Sequence, residues 1–116
     1  MLIYKIFRPA EWDRLANRCV TSGAPVDLAD GFIHFSTAEQ VRETAARHFA
    51  TEGELVLAAV DTSSFGQDLK WAASRGGALF PHLYRELYSQ EVAWTAPLPR
   101  HGAEHVFPET VGAQAA

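Results

Sequence analysis

"DGFIHFST", Asp30 to Thr37, joins a short hydrophobic strand to a helix start and sets an imidazole between them. Successive side chains on a strand point to opposite faces, so Ile33 and Phe35 share one side and Phe32, His34 and Ser36 the other. The first side reads as core. The second aligns an aromatic ring, an imidazole and a hydroxyl, which makes a polar floor. Ser36-Thr-Ala-Glu39 then fits a capping box, with the hydroxyl on a first-turn amide and the carboxylate reaching back. Thr37-Ala-Glu-Gln40 fits a second one. The strand is therefore expected to run straight into a helix with a buried stripe of Val41, Ala45 and Phe49, ending at Gly53.

Upstream, "LIYKIF" alternates Leu2, Tyr4 and Ile6 against Ile3, Lys5 and Phe7 and reads as a strand. Pro9 suits the first turn of a helix, where its missing N–H costs nothing, and Trp12, Leu15, Ala16 and Cys19 follow at helical spacing. The stretch with Gly23 and Pro25 reads as a loop. Downstream, "ELVLAAVD" is apolar on both faces, as a central strand is. "DLKW" reads as a short strand and "SRGG" as a turn. Pro81 places "ALFPHLY" at a strand start or a sheet edge. "RELY" and "EVAWTAPL" read as two further strands or one bent pair. Strand-helix-strand-helix followed mostly by strands predicts an α+β domain with a mixed, curved sheet over residues 1–98. A doubly wound parallel fold lacks its crossover helices in the second half. Residues 99–116, rich in Gly, Ala, Pro and small polar residues, are expected to form a tail that is poorly ordered at its end.

The 116 residues suit one domain that buries a core without staples. A hydrophobic share of 47% and a charged share of 21% are ordinary for a globular chain. A net charge of -4 argues against a nucleic-acid module, which needs a basic surface. Cys19 stands alone, so an intrachain disulfide and a Cys-based zinc cluster are both excluded. The start "MLIYKIFRPAEW" lacks the pattern of a signal peptide, and no apolar run approaches membrane-spanning length. The expectation is a bacterial-type cytoplasmic protein without membrane or nucleic-acid partners.

An imidazole can donate, accept or carry charge near neutral pH, so His34 reads either as a site residue or as a core histidine bound to backbone. "FPHLY" repeats the step: His82 and Tyr84 share a face as His34 and Ser36 do. Either the two strands converge on one cleft, or His82 fills a hydrophobic corner. Ser36 reads as the helix cap, or as an anion contact in the first turn if Thr37 caps instead. Arg75 in "RGG" reads as a phosphate clamp or as an exposed turn residue. Trp71 either stacks on a planar ring or plugs the core. Glu91 reads as an exposed carboxylate at the start of the last strand. The histidines have no close metal-ligand spacing, so no metal is expected. Ser36 lacks a nucleophile elbow, which argues against a serine hydrolase.

"LADGFIHFSTAEQVRETAARHF", "LVLAAVD", "LKW", "SRGGALFPHLYREL" and the opening "IYKI" resemble the bacterial domain of unknown function 952 family, from about Leu2 to Leu98. That family has no established activity. The resemblance implies a split, curved sheet similar to that of ADP-ribosyltransferases, whose cleft holds NAD in the true transferases. On that analogy NAD is the implied cofactor, and Tyr4 or His34 would hydrogen-bond the nicotinamide ribose. Glu91 would lie near the catalytic carboxylate that holds a ribose hydroxyl and stabilises oxocarbenium-like charge. One position departs: Ala72 follows Trp71 where family members commonly carry Glu. Its absence marks that position as supporting rather than obligatory.

The expected site is a cleft floored by His34, Ser36, His82 and Tyr84, with Arg75 as the anion contact. It would bind a nucleotide or another small phosphorylated or ribosylated ligand. Transfer or hydrolysis at a ribose or phosphate would use His34 as orienter or acid/base. The alternative is a binding or interaction domain that keeps the fold without NAD chemistry. Truncating Ile33 or Phe35 to Ala should cost roughly 2–5 kcal/mol in denaturant melts. His34→Ala should cost less and alter ligand response instead.

Overall fold

A computed structural model describes residues 1–73 and 77–113. The alternating opening forms β1 (Leu2–Phe7), and Pro9 begins α1 (Pro9–Arg18). That helix ends on Cys19 in the left-handed region, φ 64°, whose N–H donates to the Leu15 carbonyl. After β2 (Val20–Thr21) the chain departs from the expected loop. Pro25 opens a short helix, α2 (Pro25–Asp30). Its capping residue, Ala24, has no side-chain acceptor, so Asp27 supplies one: its Oδ2 accepts the Ala24 N–H at 2.8 Å. Gly31, at φ 84°, closes the helix and turns the chain into β3 (Ile33–His34).

The helix after β3, α3 (Val41–His48), starts later than the capping boxes indicate. Ser36 does not cap it. Its backbone is bridged to Tyr4, and its hydroxyl meets Thr44 Oγ1 at 2.9 Å. Thr37 takes half of the role: its N–H donates to Gln40 Oε1, and its carbonyl accepts from Gln40 and Val41. Glu39 is exposed on the intervening turn.

Next come β4 (Leu55–Asp61), β5 (Leu69–Ala73), β6 (Leu79–Leu83), β7 (Leu87–Tyr88) and β8 (Val92–Leu98). β4 is central, flanked by β1 and β8. A second three-stranded sheet runs β3-β6-β5, and β2 pairs with β7. The pairings among the described residues are antiparallel, which corrects the expectation of a mixed sheet. Antiparallel neighbours need only short connections, and none of the helices here serves as a parallel crossover. The tail is also built: β9 (Arg100–His101) and β10 (Glu104–His105) form a hairpin, followed by α4 (Thr110–Ala113). Val111 and Phe107 join the core, and the Arg100 guanidinium donates to the Glu52 and Ala50 carbonyls.

Within the β1-β4-β8 sheet β1 and β4 are buried on both faces, which explains the apolar central strand, while β8 exposes Ala93, Thr95 and Pro97 on one face. Ile3, Phe7, Ala58 and Val60 pack with Leu15, Ile33, Phe35 and Leu83 on one side. Tyr4, Ile6, Leu57 and Ala59 pack with Val41, Ala45 and Leu98 on the other. Ile33 and Phe35 are thus core, as their alternation requires.

Gly23 permits the approach of α2. It sits at φ 105°, and a Cβ there would lie 2.3 Å from Asp27 Oδ2. Gly23→Ala combines backbone strain with a clash against a fixed carboxylate, and should cost about 2 kcal/mol or more as a shift in the urea midpoint.

Candidate functional site

Between β1 and β3 the antiparallel ladder makes one rung and stops. Tyr4 and Ser36 exchange both backbone hydrogen bonds at 2.8 Å. The Phe35 N–H donates to Pro81 on β6, so by strand alternation the N–H and C=O of His34 turn towards β1. No β1 backbone group answers them. The His34 N–H donates instead to Asp27 Oδ1 at 3.1 Å, and its carbonyl accepts from Lys5 Nζ at 3.2 Å. The two side chains are themselves paired, Nζ to Oδ2, at 3.0 Å. A buried carboxylate and ammonium replace the missing rung. The strands separate, leaving a cavity of about 460 Å³ bordered by Lys5, Arg8, Asp27, His34, His48 and His82, with Phe49 and Phe80 among its apolar walls.

Asp27 also fixes the His34 ring, with Oδ1 2.6 Å from Nδ1. Burial pushes its carboxyl up, but the His34 hydrogen bond, the Lys5 charge and two backbone amides outweigh burial and hold it at about 2. The second ring nitrogen of His34, Nε2, lies 3.0 Å from Asp30 Oδ2. Each ring nitrogen of His34 thus faces a carboxylate oxygen. Asp27 is 1% exposed, whereas the His34 side chain is 35% exposed at the cavity.

His82 is the direct cross-strand partner of His34, their ring centroids 5.4 Å apart. It is 6% exposed and stacks on Phe32 at 4.1 Å. Burial, followed by the neighbouring His34, lowers its basicity, with Asp30 opposing. Its Nδ1 is buried and has no hydrogen-bond partner.

The structure thus gathers His34, Ser36 and His82 around one cavity, and Tyr4 borders it as well. Tyr4 is buried, its ring edge-on to Trp94. Tyr84 is on the same face as His82 but in a smaller neighbouring groove, separated by the Phe32 ring that contacts both. Trp71 is exposed and does not plug the core. Arg75 lies outside the described residues. Glu91 belongs to a single 3-10 turn before β8, away from the residues bordering the cavity. Arg85 grips it with two bonds, 2.7 and 3.0 Å, and Ser64 and the Tyr88 N–H add two more. The Arg85 bond leads in holding its carboxyl at about 2, so Glu91 is a bound structural group rather than an open strand-edge carboxylate. No group of three or more His, Cys, Asp or Glu among the described residues is arranged to hold a metal.

Sequence reasoning missed Lys5, Asp27, Asp30 and His48. Lys5 carried a signal, because its parity with Ile3 and Phe7 puts a charge on a core face. Asp27 carried less: it lies in six helical residues, too few to show a period.

The fold and site define a small α+β protein with two antiparallel sheets parted by a histidine- and aspartate-lined cleft. The chain belongs to the family described as Protein of unknown function (DUF952), whose profile matches residues 6–95. It is similar to the Caulobacter crescentus protein CC0527. The crystal structure of that protein is 51% identical over 90% of this chain and 92% of the other, with a TM-score of 0.86. Its solution NMR structure is 50% identical over 97% and 95%, with a TM-score of 0.80. No curated protein matches. No helix among the described residues is long and apolar enough to cross a membrane.

Folding lowers the Asp27 pKa from 3.8 to about 2, so its contribution, about 2 kcal/mol, is complete above the unfolded value and drains away as pH falls through the folded one. Urea melts taken down this range should show the loss. Asp27→Asn should flatten part of the slope, with Glu91 and Asp61, both also lowered on folding, contributing to the remainder. Asp27→Ala should cost roughly 3–5 kcal/mol near neutral pH, because it strands a buried ammonium.

Proposed function

We propose that the cleft between the sheets binds a nucleotide or another small phosphorylated or ribosylated molecule. The observation that carries this reading is the Asp27–His34 pair: a buried carboxylate fixes one ring nitrogen of a histidine that borders a cavity. About 460 Å³ falls in the range of small-ligand sites, and mixed aromatic and polar walls are their usual lining. A histidine so oriented is suited to general acid/base work on a ribose hydroxyl or at a phosphate. Arg75, as an anion contact, remains part of this proposal.

A second reading, binding without NAD chemistry, draws support from Glu91. A carboxylate held by Arg85 and absent from the cavity border does not fit the role of stabilising oxocarbenium-like charge there. Ala72, where the family commonly has Glu, removes another carboxylate, from the sheet that carries His34 and His82. The pocket suits the ribosyl and phosphate parts of NAD better than its cleavage. The likeness to an ADP-ribosyltransferase cleft belongs to this proposal in the same way.

Thermal-shift measurements with NAD, ADP-ribose and nucleotides test the binding. At 100 times its dissociation constant a ligand adds about 2.7 kcal/mol of stability. Binding should also move the His34 and His82 ring signals in NMR spectra. If none of these compounds raises the midpoint or moves either signal, the reading is wrong.

A further inference from the structure

Two carboxylates hold the His34 ring, and they do so on different terms. Asp27 is sealed in, its oxygens shared among the His34 ring and amide, the Ala24 amide and Lys5. Asp30, the last residue of α2, has a side chain 47% exposed, and among the described residues its one ion pair is with His34 Nε2. The inner nitrogen is permanently engaged. The outer one has an exposed and exchangeable acceptor.

The neighbouring ring has one nitrogen without a hydrogen-bond partner. His82 is buried, borders the same cavity, and has Nδ1 unbonded. A buried polar atom without a protein partner is open to a hydrogen bond from a water or a ligand group. Asp30 is tethered to α2 and meets only one of the two rings. A phosphate presents several acceptor oxygens and is able to address both rings at their 5.4 Å spacing. Lys5 and Arg8 border the cavity on the β1 side, Lys5 paired with Asp27 and Arg8 with Glu11 and Glu52.

We infer that the Asp30 carboxylate occupies the place of a ligand's phosphate group on His34 Nε2, and that a phosphate-bearing ligand displaces it and engages His82 as well. This rests on the small-ligand reading above and adds to it the recognised group and a built-in competitor. The phosphate binds between the two histidines, and Asp30 sets the threshold for binding by competing for His34 Nε2.

Calorimetric titration of the full chain with inorganic phosphate, AMP, ADP-ribose and adenosine tests this, with the histidine NMR signals followed in parallel. Asp30→Ala should bind the three phosphate-bearing probes roughly three- to tenfold more tightly than the wild type, since an exposed competing charge has been removed. Asp30→Asn, which keeps the shape of the helix end, should change in the same direction. His82→Asn should bind them more weakly, and adenosine should respond to neither Asp30 variant. Wild-type binding that Asp30→Ala leaves unchanged or weakens overturns this inference while the ligand reading stands. Equal tightening for adenosine overturns it too, because phosphate would then not be the group displaced. Absence of binding to the wild type and to both Asp30 variants removes both readings.

Discussion

The structure turns on one substituted rung. His34 presents a backbone N–H and C=O to β1 and finds a carboxylate and an ammonium instead of a strand. Had backbone pairing continued past Tyr4 and Ser36, the two three-stranded sheets would have merged along β1 and β3, closing the space between them. A buried ion pair is a poor source of stability, since desolvation offsets most of its attraction. Here it satisfies two peptide groups that would otherwise be orphaned, and it separates the strands by about a side-chain length. The cavity follows from that separation.

The same rung explains why the site is polar at its inner end. Asp27 serves the backbone of His34, the ring of His34, the start of α2 and the Lys5 charge at once. Holding one carboxylate against so many donors keeps it ionised despite burial, with the imidazole aimed by the groups that hold the sheets apart. His82 is placed by ordinary strand pairing and stacked by Phe32, so two rings of different character meet across one β3–β6 pair.

Much of the framework was legible in the sequence because it rests on alternation and apolar runs. Leu55–Asp61 declared a central strand, and the parity of Ile33 and Phe35 against His34 assigned the core face correctly. The failures at the polar residues share a cause, namely partners that the local pattern does not name. Ser36 matches a cap locally, but Tyr4 claims its backbone and Thr44 its hydroxyl. Glu91 looks open until Arg85, six residues earlier, is folded against it. Lys5 was visible as a charge on an apolar face, yet nothing near it in sequence named Asp27 as its partner. Histidine placement was read from local pattern and held for both rings, whereas Tyr84 was diverted to the next groove by the Phe32 side chain.

The inverted burial of α2 has a dynamic consequence. Val26 and Leu28 are 57% and 61% exposed, while Asp27 faces inward, so polar bonds rather than apolar area fasten this helix. Glycines with positive φ bound it at both ends, Gly23 and Gly31. Opening this panel leaves both core clusters in place, since it contributes little hydrophobic contact to them, but it strands the Lys5 ammonium and the His34 N–H that Asp27 holds. This wall of the cavity is thus fastened at one polar point, and its attachment turns on the ionisation of a single carboxylate.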